Sequence, residues 1–420
     1  MQLILLAVFI AGACYFTLVP RYLDAFTVAF FSAAIYFLPG LVGYTLSPAT
    51  PDMPIKLPVE MDPEAIGIMI AVLTSIVLGG VAWDQASRNW GAPGWRLEEA
   101  RPASSIALLL ALAGLLMDSV ESGGAIFAPD KRVVIDVVGR GHIIWEMGAS
   151  VAAVLAFRYR QRGTLLIAAV LLLLDMWIGF RYAFALTLVT IMWMWLQRQR
   201  PFRLAAMRMK YLLIVLLGGL VIISYQNLKE PVRTGDWTEV VRRTTSPLWY
   251  FNGILTSEPF TTQTVMNEIV RRDFRTGSEH LWAATQHLLL FSPSLDAETV
   301  RFNDLYQPAL FPIVDHGLAN NIWAQMWSAG GWPALCVFLV VFVSFLGLGS
   351  WLIRSPDPGL QAGATLLFAY WAFYIHRNEL LVQVGFEKQI LLVWALCTVG
   401  GILVCRAVRT RSAAGPGLLP

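Results

Sequence analysis

Arg181 stands in Ile178-Gly179-Phe180-Arg181, a junction so short between two apolar runs that almost no loop exists to carry it into water. A charge at that depth is costly unless it has a task or a partner, so it is a functional candidate by default. A guanidinium at the level where lipid headgroups end can grip a phosphate bidentately. Its plainer alternatives are snorkelling to the interface or pairing with Asp175. Asp175 and Glu146 also fall inside apolar runs, and a structural role fits them as well as a functional one. Asp118 and Glu121 lie near a run's end, where solvation is cheap, and receive no role.

A second constellation is Asp315-His316-Gly317-Leu318-Ala319-Asn320-Asn321, followed by Trp323, Trp327 and Gly330-Gly331. A helix starting near His316 would place His316, Asn320, Trp323 and Trp327 on one face. With an ordinary pKa of about 6.5, imidazole can accept a proton from a sugar hydroxyl near neutral pH. Asp315 would orient the ring, and the Asn320 and Asn321 amides would hold sugar hydroxyls. A helix cap or interfacial anchor is the structural alternative for this histidine.

His376-Arg377-Asn378-Glu379 forms a third group, with Lys388 close behind. A cation there can converge with Arg181 on a pyrophosphate, although a loop charge paired to Glu379 is nearly as good a reading. Arg271, Arg272 and Arg275 cluster on an expected loop helix, with Arg271 and Arg275 one turn apart. They can meet phosphate or an acidic sugar, or they are a wet face that Glu268 and Asp273 partly neutralise. His280 and His287 share a helix face but lack a carboxylate at ligand spacing, so no metal is assigned. Cys14, Cys336, Cys397 and Cys405 lie in or beside apolar runs and read as small hydrophobes. Phosphate-binding glycine loops, nucleophile elbows and zinc-helix motifs are absent, so no cofactor is expected and any donor substrate should arrive through the membrane.

The elements that position these groups follow from composition. Apolar residues make up 57% and charged residues 14%, with a mean hydropathy of +0.60; soluble domains are about one quarter charged. Lipid is therefore the solvent for much of the chain. The formal net charge of +3 carries no clustered basic face of the kind nucleic acid needs. Apolar runs are centred on 3–19, 25–46, 65–83, 104–120, 142–157, 164–178, 182–196, 211–225, 322–351, 360–374 and 390–408. At about 20 residues per crossing, this predicts an all-α polytopic membrane protein of about 11 spans, within a range of about 10–12. The first run lacks a basic flank and a clear cleavage site, which predicts a retained helix rather than a signal peptide.

Arg158, Arg160 and Arg162 fill one short connection, Arg198, Arg200, Arg203, Arg208 and Lys210 another, and Arg406, Arg409 and Arg411 mark the C-terminal end. The positive-inside rule puts all three in the cytoplasm. Parity then places the N-terminus, Arg181, His376-Arg377 and the long polar segment on the outer side. The expected organisation is helices over 1–225, a large loop over 226–317 and helices over 318–420. Within the loop, Val265, Ile269 and Phe274 have helical spacing, and Ser278 can cap a second helix carrying Leu281, Ala284 and Leu288, stopped by Ser292-Pro293. Two amphipathic loop helices predict a cap lying on the membrane. No internal repeat is visible, which counts against a transporter of two similar halves.

In order, Gly179-Phe180-Arg181 opening a span, the long loop, His316 with Asn320 and Asn321, Gly330-Gly331 and then His376-Arg377 resemble the O-antigen polymerase and ligase superfamily, a branch of the GT-C membrane glycosyltransferases. The likeness covers roughly 165–420; the part before it is similar only in being helical. It implies a GT-C-like fold and metal-independent glycosyl transfer from an undecaprenyl-pyrophosphate oligosaccharide on the periplasmic face of a bacterial inner membrane. His316 would then activate the acceptor hydroxyl and Arg181 hold the pyrophosphate. A flippase and a chain-length regulator are the implied protein partners. Ligases of this group usually place Asn, Ser or Gln after the histidine; Gly317 stands here, which favours a polymerase. An O-antigen-type ligase and a polysaccharide flippase or other transporter are the alternatives.

Overall fold

The computed structural model describes residues 1–47, 58–94, 97, 100–128, 133–134, 137–197, 203–206, 228, 231–232, 234–246, 249, 253–255, 257–286, 300–314 and 318–413. The expected span over 211–225 lies outside the described residues, as do Asp315, His316, Gly317 and His287. The chain is an all-α membrane protein with one two-stranded ribbon, Tyr44–Leu46 paired antiparallel to Pro58–Glu60. Among the described residues, four helices are long and apolar enough to cross a bilayer: Pro63–Asn89, Ala103–Glu121, Ile322–Leu352 and Leu380–Thr410. Shorter apolar helices are Gln2–Leu18, Ala25–Tyr36 and Tyr182–Gln197.

In chain order we number α1 (Gln2–Leu18), α2 (Ala25–Tyr36), α3 (Leu38–Val42), β1 (Tyr44–Leu46), β2 (Pro58–Glu60), α4 (Pro63–Ala86) and α5 (Ala103–Glu121). Then come α6 (Arg140–Tyr159), α7 (Arg162–Ile178), α8 (Tyr182–Gln197), α9 (Trp237–Thr245), α10 (Glu258–Arg271), α11 (Glu279–Gln286) and α12 (Phe302–Leu310). The last three are α13 (Ile322–Leu352), α14 (Pro358–Tyr374) and α15 (Leu380–Ala413). Helix starts are written locally. Asp62 and Asp357 each precede a proline at the first helical position and accept from Glu64 and Leu360 N–H respectively; proline's missing donor is harmless there.

Two expected spans are corrected. The run 25–46 is not one helix: α2 stops at Tyr36, α3 follows immediately with Pro39 in its first turn, and the chain turns at Gly43 (φ 84°) into β1. The run 322–351 is kinked at Gly330 and Gly331, where Gly331 has φ 61° and ψ −147°, a conformation only glycine adopts freely. Before the kink, Ile322 to Ser328 are all buried; beyond it, Val337, Val340 and Val341 face outward. Leu109, Leu116 and Val120 on α5 and Leu392, Leu396 and Val399 on α15 are exposed in the same manner. Such apolar faces are what a helix offers to lipid.

The first loop helix is corrected as well, while α11 buries His280 and Ala284 and exposes Trp282, Thr285 and Gln286. Rather than lying on a surface with one wet face, α10 is buried at Phe260 and continuously from Thr262 to Val270. It is locked in by polar contacts: Thr264 and Thr45 hydroxyls lie 2.6 Å apart, and Asp62 N–H donates to Asn267 Oδ1 at 2.7 Å. A helix roofed on all sides has no reason to keep a polar stripe, so amphipathic patterning misjudged its depth.

The tightest packing joins α5 to α6. A Cβ on Gly114 would sit 2.5 Å from Trp145 N, one on Gly141 2.6 Å from Asp118 N, and one on Gly148 2.8 Å from Ala111 N. Three glycines thus let the backbones meet, the usual device of helices in lipid. That approach determines which polar groups face each other.

Candidate functional site

Arg181 occupies the tight corner expected of it. Helix α7 ends at Gly179 (φ 130°), and α8 begins one residue after Arg181, leaving that side chain half-buried at the corner. The next residue, Tyr182, packs against Tyr374 with ring centroids 4.8 Å apart, and Tyr374 Oη donates to Tyr182 O at 3.2 Å. Tyr374 ends α14, and the turn after it carries Arg377, whose guanidinium lies 5.5 Å from the Tyr374 ring. Arg181 and Arg377 both fall within electrostatic reach of Tyr374. Two cations far apart in sequence therefore lie in the same region of one end of the bundle, Arg377 against the Tyr374 ring and Arg181 one residue from the Tyr182 that packs on it. Arg377 is also held by Glu258 at 2.7 Å, which brings the first residue of α10 to the same place.

His376 and Asn321 are placed as structural groups. His376 is fully buried between Tyr36, Phe37 and Trp323, and Trp323 Nε1–H donates to its Nδ1 at 3.1 Å. That bond needs the neutral ring's lone pair, and burial pushes its pKa down to about 3. Asn321 is the N-cap of α13, accepting from Trp323 and Ala324 N–H at 3.0 and 3.2 Å. Helix α13 therefore starts at Ile322, not near His316, and Asn320 is not on a shared helical face with Trp323 and Trp327. Asn320 is half-buried, and its Oδ1 makes no hydrogen bond.

The basic cluster is not a free cationic face. Arg271 and Arg272 both pair with the buried Glu268 carboxylate, at 2.8 and 2.9 Å. Helix α10 ends at Arg271, so Arg275 is not one helical turn on from it. Instead Arg275 pairs with Asp273 at 2.7 Å, donates to Trp327 O at 2.7 Å and stacks on the Trp327 ring at 4.7 Å. It ties the cap to α13. His280 is buried against Phe302, which lowers its pKa by desolvation. Glu379 is buried too, and accepts from Asn303 N–H at the start of α12; burial raises its pKa to about 7.

The residue missed from sequence is His142, which gathers Asp118, given no role, and Glu146 and Asp175, whose role was left open. His142 Nδ1 lies 3.1 Å from Asp118 Oδ2, while Nε2 lies 3.3 Å from Glu146 Oε1 and 3.2 Å from Asp175 Oδ1. All four side chains are buried. The approach of α5 to α6 at Gly141 delivers Asp118, the helical i, i+4 relation delivers Glu146, and the short return into α7 delivers Asp175. Phe180 covers the imidazole, ring centroids 4.4 Å apart, so this cluster lies directly beside the Arg181 corner. His142, Glu146 and Asp175 are the described residues with the donor types and spacing to hold a metal ion. The readable signal was His142 four residues before Glu146 on an apolar helix.

The described site thus belongs to a helical membrane protein with two arginines and a buried histidine–carboxylate cluster at one end. Compared with protein-family models, curated proteins and solved structures, the chain finds no match.

Proposed function

We propose that the protein joins undecaprenyl-pyrophosphate-linked oligosaccharide repeat units into a surface polysaccharide, working on the periplasmic face of a bacterial inner membrane. What supports the reading most is that Arg181 and Arg377 both lie within electrostatic reach of Tyr374, with the loop helix α10 anchored to Arg377 through Glu258. In glycosyl transfer from a lipid pyrophosphate, negative charge grows on the leaving group, and preorganised cations lower that barrier. The acceptor hydroxyl would lose its proton to His316, and its oxygen would attack the anomeric carbon as the pyrophosphate departs. A pyrophosphate at the corner would compete with Glu258 for Arg377. Donor sugar and lipid carrier are substrates, and no cofactor is assigned a step.

The test is genetic. Deleting the gene should leave single repeat units on the cell surface, and Arg181→Ala or Arg377→Ala should reproduce that ladder while the protein stays in the membrane. Normal long chains in both variants would exclude the reading. Deletion of a ligase would instead leave lipid-linked polymer unattached. One observation favours transport as a second reading: ionisable groups lie buried at both ends of the bundle, and the far end holds a cavity of about 730 Å³. A flippase loss would trap repeat units inside the cell.

A further inference from the structure

We infer that His142, Glu146 and Asp175 form a binding site for one divalent transition-metal ion, with Asp118 orienting the histidine. Neither Asp175 oxygen accepts a hydrogen bond, and His142 Nε2 makes none, although all three atoms are buried. Their close approaches of 3.2 and 3.3 Å therefore lack hydrogen-bond geometry. They match donors around a common ion instead: ligand atoms bound at about 2.0–2.2 Å stand about 3–3.5 Å from one another. The three donor atoms lie within 4.8 Å of one another, from two helices.

Charge points the same way. A buried imidazolium facing three carboxylates would carry an excess of two negative charges unless a proton or an ion offset it, and uncompensated buried charge is strongly unfavourable. A divalent ion with neutral imidazole reduces the excess to one. Asp118 Oδ2 at 3.1 Å from Nδ1 completes a carboxylate–histidine–metal arrangement, which holds the proton on Nδ1 and turns the Nε2 lone pair to the ion. One imidazole and two carboxylates suit Zn²⁺ or Mn²⁺ better than Mg²⁺ or Ca²⁺, which prefer all-oxygen shells. The ion would staple α6 to α7 beside the Arg181 corner, with α5 held through Asp118. It takes no part in the proposed transfer and stands whether or not that reading does. Sequence spacing alone shows two of the three ligands, His142 and Glu146; the third comes from the next helix.

The full-length chain, purified in detergent, stripped with a chelator and titrated with Zn²⁺ or Mn²⁺, should bind one equivalent. Asp175→Asn and Glu146→Gln should each bind at least about tenfold more weakly, and Asp118→Asn about 10- to 100-fold more weakly. Bound Mn²⁺ should show magnetic coupling to a single imidazole nitrogen, retained in His280→Gln. That spectrum needs no cluster variant, so it decides the matter even if one fails to fold. Less than a tenth of an equivalent in the wild type, full binding in folded Asp175→Asn and Glu146→Gln, or no imidazole coupling would each overturn the site.

Discussion

At the end of the bundle away from Arg181, Arg21 lies between Asp24 at 2.6 Å and Asp84 at 3.1 Å, with its guanidinium 4.6 Å from the Phe16 ring. Tyr15 donates to the same Asp84, and Arg354 stacks on Trp83 and Tyr22. At the opposite end, buried His142 faces Asp118, Glu146 and Asp175. The first arrangement places an always-charged group among carboxylates and aromatic faces; it is a fastening. The second gathers three carboxylates around a group whose proton is optional, and sets two arginines beside it. Burial alone does not mark a site. What sets the second cluster apart is three carboxylates around one imidazole, held in place by glycine-mediated helix contact.

The sharpest way to break this contrast is to remove one arginine from each end. Arg181→Ala should lower polymer formation by about 10²- to 10³-fold, the usual consequence of deleting one group that stabilises developing negative charge. Arg21→Ala should leave the rate per folded molecule unchanged. Polymer length on gels, normalised to membrane-embedded protein, distinguishes the two. Equal losses in both variants would mean that both ends serve the chemistry, or neither.

Stability should rank the same pair in reverse. Arg21 is almost inaccessible, and removing one partner from a buried ion pair costs about 3–5 kcal/mol, because the remaining carboxylates keep their desolvation penalty. Arg181 is half-buried, so its loss should cost much less. Denaturation of the detergent-solubilised variants would measure the difference, and an Arg21→Ala protein as stable as wild type would remove the fastening role.

The two ends were unequally legible in the sequence. Long apolar runs such as those of α4, α5 and α15 announce membrane helices because length and hydropathy are local properties. Arg181 is legible for the same reason: the chain on either side leaves it nowhere else to go. Asn321 was misread because a side chain that caps a helix and one that binds sugar have the same composition, and only the true helix start at Ile322 separates them. His376 was misread because a loop histidine looks exposed until α2 and α13 are seen to close over it. Asp118 looked cheap to solvate at its helix end, yet Gly141 brings α6 against it. Pairing across helices is three-dimensional information, and one chain read alone does not contain it.

Gly141 offers a gentler break. A Cβ there would meet Asp118 N at 2.6 Å, backbone that cannot swing aside. Gly141→Val should therefore push α5 from α6 and cost about 1–3 kcal/mol, the range for overpacking a tight contact. Gly163, with nothing within 4 Å, is the matched control: a β-branched residue there should change stability far less. If both substitutions cost the same, helix propensity rather than contact would be responsible. The Asp118–His142 geometry would then not depend on close approach.

The smallest effect concerns the Arg181 end and pH. Glu379 has a pKa raised from 4.5 to about 7 by burial, so its protonated form is favoured in the fold. Its stabilising contribution is complete below 4.5 and is lost as pH rises through about 7. His376 is lowered from 6.5 to about 3 by burial, so its contribution is present above 6.5 and is lost as pH falls through about 3. Between 4.5 and 6.5 the two slopes oppose and nearly cancel. Above 6.5 His376 no longer offsets Glu379, which titrates differentially over about half a pH unit more, so the Glu379 contribution should fall by under about 1 kcal/mol from pH 6.5 to 8. Glu379→Gln removes that contribution, so the wild type should lose stability relative to the variant as pH rises from 4.5 to about 7. A difference between wild type and Glu379→Gln that stays constant from pH 4.5 to 8 would show that Glu379 is ionised within the fold, held by the N–H groups at the start of α12 rather than governed by its burial.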